Sequence, residues 1–112
     1  MPEKSLGILQ HMLDVAAFRN RVLTSNIANA DTPGYKAKDI SFQEEMNKAV
    51  SGNGEQEYHV YETATTMPNR DGNTVNLDIE MAKVAENNLL YDAAAQLITM
   101  KIRQKKNILN AP

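Results

Sequence analysis

The stretch of sequence that decides the fold is NIANADTPGYK, residues 26–36, because it ends a helix and turns the chain away. Pro33 disfavours helical geometry at Thr32 and has no backbone N–H to donate within a helix. Gly34 then supplies a turn position that is free of Cβ strain. The segment therefore predicts the end of a long helix followed by a tight turn.

The polar side chains of the same segment suit a fixed exit from a helix. The side-chain amides of Asn26 and Asn29 can bond to backbone groups that are left free at a helix end. Asp31 and Thr32 favour short side-chain-to-backbone turns. Tyr35 offers an amphipathic anchor for a neighbouring surface. We expect these residues to set the angle at which the chain leaves the helix.

Upstream of this exit, apolar residues recur at steps of three and four, which predicts a helix from about Ser5 to Asn29. Ser5 is the expected N-cap. The apolar row, in which Asn20 fills the one polar slot, consists of Leu6, Leu9, Leu13, Ala16, Leu23, Ile27 and Ala30. We predict that Leu9, Leu13 and Leu23 pack this helix.

The C-terminal part shows the clearest periodicity and predicts a helix that begins near residue 77. Asn76 or Asp78 can cap its start, and at 1.5 Å per residue it is roughly 45 Å long, more than a small domain needs. Asn88 is a candidate register-setting polar position in its apolar stripe. The predicted packing residues of this helix are Leu77, Met81, Val84, Tyr91, Ile98 and Ile102.

The middle of the chain is predicted to be mixed. Residues 39–50 favour a short helix, residues 51–54 (SGNG) a turn, and residues 67–73 a loop. Extended pieces are favoured by Tyr58, Val60, Tyr61, Thr63, Thr65 and Thr66.

The predicted fold is mainly α, with two long terminal helices packed as a coiled-coil-like hairpin and a short helix and irregular or short β segment between them. Its parts are residues 1–34, 35–76 and 77–112.

Composition excludes several classes of protein. The chain has 112 residues, a formal net charge of −2 and no cysteine, which argues against electrostatic nucleic-acid binding, disulfides and thiolate metal sites. No apolar run approaches the roughly 18 residues of a membrane span. The first residues lack the pattern of a cleaved secretory signal. Aromatic residues make up only 5% of the chain and Trp is absent, so a self-sufficient core is doubtful.

Patterns typical of enzymes are missing. The two histidines, His11 and His59, lie in separate segments without a partner pattern, and no phosphate loop, nucleophile elbow or metal spacing occurs. We predict no catalytic residue, no cofactor, no metal and no small-molecule substrate. The acidic pairs are interpreted as solvated charges: Glu44, Glu45, Glu55 and Glu57.

Periodicity alone is equally typical of an intramolecular bundle, such as a small helical adaptor or regulatory binding module, and of an assembly subunit.

The segment at residues 26–36 favours assembly, because it resembles the N-I-A-N-x-x-T-P-G-Y-K/R signature of bacterial flagellar rod and hook proteins. The run DGNTVNLDIEM, residues 71–81, is similar to the D-G-N-x-V-x-L-x-x-E-M segment of one of the two proximal rod proteins that share this signature. The short length also favours a proximal rod protein. The resemblance covers residues 10–46 and 68–110.

The resemblance implies a structural role. Its assembly motif would comprise Asn26, Ile27, Ala28, Asn29, Thr32, Pro33, Gly34 and Tyr35. Such proteins pass unfolded through the flagellar type III export channel, without a cleaved signal, and form the periplasmic rod of the basal body. The implied partners are other rod proteins, copies of the same chain, the proximal adaptor protein, and membrane-ring and export-gate components. Subunit number, helical parameters and the neighbour of each face do not follow from one sequence.

Overall fold

The computed structural model describes residues 2–51, 57–63 and 67–110. Within these residues the chain forms three helices and a two-stranded sheet, so the predicted mainly α fold is confirmed. In chain order the elements are α1 (Pro2–Ala28), β1 (Lys38–Ile40), α2 (Phe42–Ser51), β2 (Val60–Glu62) and α3 (Leu77–Leu109).

The ends of the two long helices follow the local sequence. Helix α1 begins earlier than predicted, at Pro2, because proline suits a first helical turn whose N–H groups are unpaired anyway. It ends at Ala28, within the predicted exit segment and one residue before the predicted end at Asn29. Helix α3 is capped by Asn76, whose side-chain oxygen accepts the backbone N–H of Ile79 at 3.3 Å.

The middle segment differs from prediction at one boundary. The short helix begins at Phe42 rather than at residue 39, because residues 38–40 form strand β1. This strand pairs antiparallel with β2, placing Ile40 opposite Val60. Of the predicted turn at 51–54, Ser51 ends α2 and the remainder lies outside the described residues, as do Thr65 and Thr66.

Helices α1 and α3 form an antiparallel hairpin, since the end of α1 meets the start of α3 and its middle meets residues further along α3. The described residues span 69 × 27 × 16 Å. Residues 101–109 of α3, and Asn110 after them, are all exposed, so this end of the helix projects beyond its partner. No helix in the described part of the chain has a stretch long and apolar enough to cross a membrane.

The apolar core is small and contains a high proportion of polar groups. Among the described residues the buried apolar side chains are Val15, Ala16, Leu23, Ala37, Ile40 and Ala94. The buried polar side chains outnumber them and are Arg19, Asn26, Asp39, Glu45, Asn73, Thr74, Glu80 and Asn87. Because burying such groups is unfavourable unless they are hydrogen-bonded, the fold depends on how completely they are paired.

The face that α3 buries lies beside the stripe that its periodicity indicates. Its fully buried residues are Glu80, Asn87 and Ala94, which are spaced by seven and lie on one side of the helix. Asn88, the candidate register position, is exposed, whereas its neighbour Asn87 is buried. The intramolecular seam of α3 therefore contains two polar side chains where a hydrophobic pattern would place apolar ones.

Candidate assembly site: the helix-exit joint

The two sequence motifs, far apart in the chain, meet in space. The backbone N–H of Gly34 donates to the carbonyl of Asp71 at 2.7 Å, and that of Thr74 donates to the carbonyl of Tyr35 at 3.0 Å. The ammonium of Lys36 contacts the carbonyl of Gly72. We call residues 26–38 together with residues 69–80 the helix-exit joint.

Two glycines allow the turns of the joint to approach each other. Gly34 has a φ of +74° and Gly72 a φ of +78°, in the left-handed region that other residues adopt at a cost. A Cβ built on Gly72 would lie 3.7 Å from the Cα of Gly34. The proline-glycine turn and the aspartate-glycine-asparagine turn are therefore packed backbone against backbone.

Asn26 is the central side chain of the joint and is fully buried. Its Nδ2 donates to the carbonyl of Lys38 at 2.7 Å and to Oε1 of Glu80 at 2.6 Å. Its Oδ1 accepts the hydroxyl of Tyr35 at 3.0 Å and the backbone N–H of Lys38 at 3.0 Å. These bonds use both donors and both acceptor positions of the amide, so one residue links α1, β1 and α3.

Asn73 plays the corresponding role on the other side of the joint. Its Nδ2 donates to the carbonyls of Asn29 and Thr32, at 2.9 and 2.8 Å. These carbonyls belong to the turn after α1, where a helix leaves acceptors without partners. Its Oδ1 accepts the backbone N–H of Val75 at 2.7 Å. Asn73 therefore ties the exit of α1 to the segment that leads into α3.

A buried ion pair between α1 and β1 stabilises the helix-exit joint. Arg19 donates from Nε and Nη2 to the two carboxylate oxygens of Asp39, at 3.0 and 3.2 Å. Lys83 lies 3.6 Å from the same carboxylate. Burial opposes the charge on Arg19, but the hydrogen bonds and negative charges of Asp39 and Glu86 together outweigh it and raise the pKa of the guanidinium. The pair fixes β1 against α1.

The α1–α3 seam has one further polar contact. Nδ2 of buried Asn87 donates to the backbone carbonyl of Ala16 at 2.7 Å. Oδ1 of Asn87 has no hydrogen-bond partner among the described residues. An amide at this depth fixes the axial register of the two helices, because sliding either helix would break its one bond.

Comparisons with known proteins agree on one family. A family model described as "Flagella basal body rod protein" matches residues 16–36, which include Asn26 and the start of the joint. The flagellar basal body rod protein FlgB of Escherichia coli K12 is 31% identical over 97% of this chain and 95% of its own length. The chain belongs to the FlgB family of flagellar basal body rod proteins. FlgB of Cereibacter sphaeroides is 39% identical over 87% of each chain, and FlgB of Bacillus subtilis is 30% identical over 90% of this chain.

Membership of the FlgB family confirms the relationship that the two motifs indicate. It identifies the chain as a structural protein of the flagellar basal body rod. It also identifies FlgB as the rod protein to which the chain is similar over most of its length.

The motif residues of this FlgB-family chain have distinct environments. Asn26 is buried, Ile27, Asn29 and Tyr35 are half-buried, and Ala28, Thr32, Pro33 and Gly34 are exposed. The buried amide holds the joint together, while the turn of residues 32–34 forms an outer surface. Whether that surface meets a neighbour stays a prediction.

The predicted packing residues fall into three groups. Leu23 is buried, and four others are half-buried: Leu9, Leu13, Val84 and Ile98. The remaining four, all on α3, are exposed: Leu77, Met81, Tyr91 and Ile102. For this exposed group, packing against neighbouring subunits stays a prediction.

The polar residues outside residues 26–36 that form the joint and the α1–α3 seam were not predicted from the sequence. Asn73 lies in the recognised D-G-N run, but nothing local indicates that its amide reaches back to α1. Glu80 and Asn87 could have been found from their spacing of seven, with Ala94 as the third member. Arg19 and Asp39 carry no pairing signal, because they are 20 residues apart and lie in different elements.

One interpretation was wrong. Glu45 is not a solvated charge but is 2% exposed, and its carboxylate accepts the backbone N–H of His59 at 2.9 Å. Lys48 lies 3.3 Å from it. Glu44 and Glu57 are exposed, and Glu55 lies outside the described residues. Glu45 holds the end of the irregular segment against α2.

Both histidines contact Glu45, but they do so through different atoms. The ring Nε2 of His11 lies 3.3 Å from the backbone carbonyl of Glu45, and His59 contacts the carboxylate with its backbone rather than its ring. Among the described residues, no group of three or more His, Asp or Glu side chains is arranged to hold a metal ion.

Proposed function

We propose that this FlgB-family chain is a subunit of the proximal rod that assembles with other rod proteins and copies of itself into a helical tube. The tube transmits torque and encloses the export channel. The observation that carries the proposal is the apolar surface of α3. Ten large apolar side chains of this helix are exposed: Leu77, Ile79, Met81, Leu89, Tyr91, Leu97, Met100, Ile102, Ile108 and Leu109.

The exposed apolar surface of α3 is large compared with the small apolar core of the monomer. Only one apolar residue of α3, Ala94, is fully buried against α1. Burial of an aliphatic side chain contributes about 1.5–3 kcal/mol, so covering these ten exposed side chains would add substantially to the stability of an assembly. Extended exposed apolar surface of this kind marks protein interaction sites. The projecting residues 101–110 place part of it where α1 does not reach.

The helix-exit joint suits a part that carries torque. Its buried amides of Asn26 and Asn73 are hydrogen-bonded to three separate segments, and its turns are packed backbone to backbone. Such a joint fixes the direction of the middle segment relative to the hairpin. We propose that the exposed turn at residues 32–34 presents a fixed surface to an adjacent subunit.

The location and the remaining partners are proposed from the family. We place the chain in the periplasmic part of the basal body, reached through the flagellar export channel without a cleaved signal peptide. Its partners at the base of the rod would be the proximal adaptor protein, membrane-ring components and the export gate.

The test replaces Ile102 by aspartate. Ile102 is 54% exposed in the monomer, so Ile102→Asp should leave the hairpin folded, with a change in stability within about 0.5 kcal/mol. Its matched control is Gln104→Asp, a neighbouring exposed position that adds the same charge. We expect Ile102→Asp to be exported normally but to be absent from isolated basal bodies and to abolish swimming, while Gln104→Asp incorporates. Normal incorporation of Ile102→Asp would overturn the proposal.

A further inference from the structure

The end of α3 that projects beyond α1 carries positive charge only. Its cations are Lys101, Arg103, Lys105 and Lys106, and residues 93–109 contain no aspartate or glutamate. All four side chains are exposed. None of them forms an ion pair with any side chain that the structure describes. This segment is therefore a concentrated patch of positive charge on a chain whose formal net charge is −2.

The helix dipole does not account for this charge. Its effect is confined to the last turn of a helix, where basic residues are favourable. Lys106 is the basic residue in the last turn of α3, whereas Lys101 lies more than two turns before the end. No carboxylate stands three or four residues from any of the four cations, so pairing along the helix does not explain them either. The four cations are available to an external anionic partner.

The apolar residues of this segment form a narrow strip along one side of the helix. At 100° per residue, Ile98, Ile102 and Leu109 lie within an arc of about 40°. Ile102 and Leu109 are exposed, and Ile98 is half-buried. The strip extends over about 17 Å of helix, too short to cross a bilayer but long enough to lie along its surface.

The four cations border this strip on both edges, all within about 100° of Ile102 around the helix. Those on one edge are Lys101 and Lys105, and those on the other are Arg103 and Lys106. The side of the helix opposite Ile102 is uncharged and contains Met100, Gln104 and Asn107. An apolar strip bordered by basic residues suits the boundary between water and an anionic lipid surface. The long basic side chains can bury their methylene groups in the lipid and extend their charges to the phosphates.

We propose that residues 98–109 form a docking surface for an anionic lipid bilayer, along which this end of α3 lies parallel to the membrane plane. Ile102 and Leu109 insert among the lipids, and the four cations bind the phosphate groups beside them. The contact goes beyond the proposed function, and only its location next to the base of the rod rests on that function. Because Ile102 is also the proposed rod contact, a subunit held on the membrane is one that has not yet been incorporated.

The first test measures binding of the full chain to lipid vesicles by co-sedimentation. We expect binding to vesicles of phosphatidylglycerol and phosphatidylcholine in equal parts, weakened by salt, and binding more than about 100-fold weaker to phosphatidylcholine alone. Each basic residue near an anionic surface strengthens binding about fivefold, so Lys105→Gln with Lys106→Gln should weaken it about 25-fold. The matched control, Arg21→Gln with Arg70→Gln, removes the same charge from exposed positions outside α3 and should bind like the unmodified chain.

A second measurement determines which side of the helix faces the lipid. The chain has no cysteine, so a single introduced cysteine can carry a polarity-sensitive fluorophore. We expect the fluorescence of labelled Ile102→Cys to shift to the blue when the anionic vesicles are added. Labelled Gln104→Cys, on the opposite side of the helix, should show no shift. Both positions are exposed, and circular dichroism should show the same helicity for both variants.

Several results would overturn the inference: no binding to the anionic vesicles, equal binding to both kinds of vesicle, equal losses in the two glutamine variants, or equal shifts of the two fluorophores. Binding to polyglutamate as tight as binding to the anionic vesicles would also overturn it, because that result indicates a site for an acidic protein. These results leave the proposed function standing, since the vesicle assays contain no rod. Absence of the unmodified chain from isolated basal bodies would instead refute the proposed function and leave the vesicle result unchanged.

Discussion

Replacing Asn26 by aspartate tests the helix-exit joint most directly. The side chains have nearly the same shape, so Asn26→Asp leaves packing unchanged but removes both N–H donors. The carbonyl of Lys38 and the carboxylate of Glu80, which accept at 2.7 and 2.6 Å, lose their partners. The new carboxylate also faces the carboxylate of Glu80, which is 2% exposed.

The expected loss of stability follows from these two acceptors. Leaving a buried acceptor without its donor costs about 1–3 kcal/mol, more for a charged group. Two such losses predict a decrease of about 4 kcal/mol in the free energy of unfolding, before the repulsion between the carboxylates is included. That is a large fraction of the total stability of a small domain, about 5–15 kcal/mol.

The assay is urea denaturation of the purified chain, followed by circular dichroism at 222 nm. Asn88→Asp is the matched control, because it makes the same chemical change at an exposed position of α3. We expect a change within about 0.5 kcal/mol for the control. Adding Glu80→Gln to Asn26→Asp should recover part of the loss, since the glutamine amide can donate to the new carboxylate.

The double variant makes the reasoning refutable. If Asn26→Asp costs no more than Asn88→Asp, the amide does not hold the joint. If Glu80→Gln fails to rescue Asn26→Asp, the two side chains are not coupled, and the contact between α1 and α3 has been described wrongly.

Two further predictions concern the turn and the core. Gly34→Ala should destabilise the chain by about 1–2 kcal/mol and lower rod incorporation, because the φ of Gly34 is +74°. Gly7→Ala, inside α1 and with open space around it, should instead stabilise the helix by up to about 1 kcal/mol, and equal thermal shifts of the two variants would contradict this account. Leu23→Ala should lower the free energy of unfolding in urea by about 2–5 kcal/mol, because the side chain is fully buried. Leu89→Ala, at a position 71% exposed, should leave monomer stability unchanged, and a loss of stability there would mean that this side of α3 is already covered in the monomer.

Local sequence rules were sufficient to predict the secondary-structure elements, but they were insufficient to predict which residues those elements contact. The end of α1 at Ala28 and the cap at Asn76 follow from proline, glycine and asparagine chemistry within a few residues. The start of α2 was misplaced because residues 38–40 are held as a strand by β2, a partner 20 residues away. Glu45 was misread as a solvated charge for a similar reason. The backbone N–H that its carboxylate accepts belongs to His59, which lies beyond the predicted turn at residues 51–54.

The seam shows the same limit in the long helices. A search for apolar residues selects the stripe through Leu77, Met81 and Ile102, which the monomer exposes. It passes over Glu80 and Asn87, which the monomer buries. Polar residues carry no burial signal by themselves, because their burial becomes favourable only when a particular donor or acceptor is brought to them.

The sequence by itself determined that this chain has two long helices with apolar stripes and a proline-glycine exit, and its motifs placed it in the flagellar rod family. Those properties depend on propensity, spacing and composition, which act locally. Only the tertiary structure decided that the exit after Asn26 docks on the turn before α3, that polar side chains form the seam, and that the apolar stripes of α3 stay outside. These depend on hydrogen bonds between residues 44 to 71 positions apart, whose geometry exists only once the helices have packed.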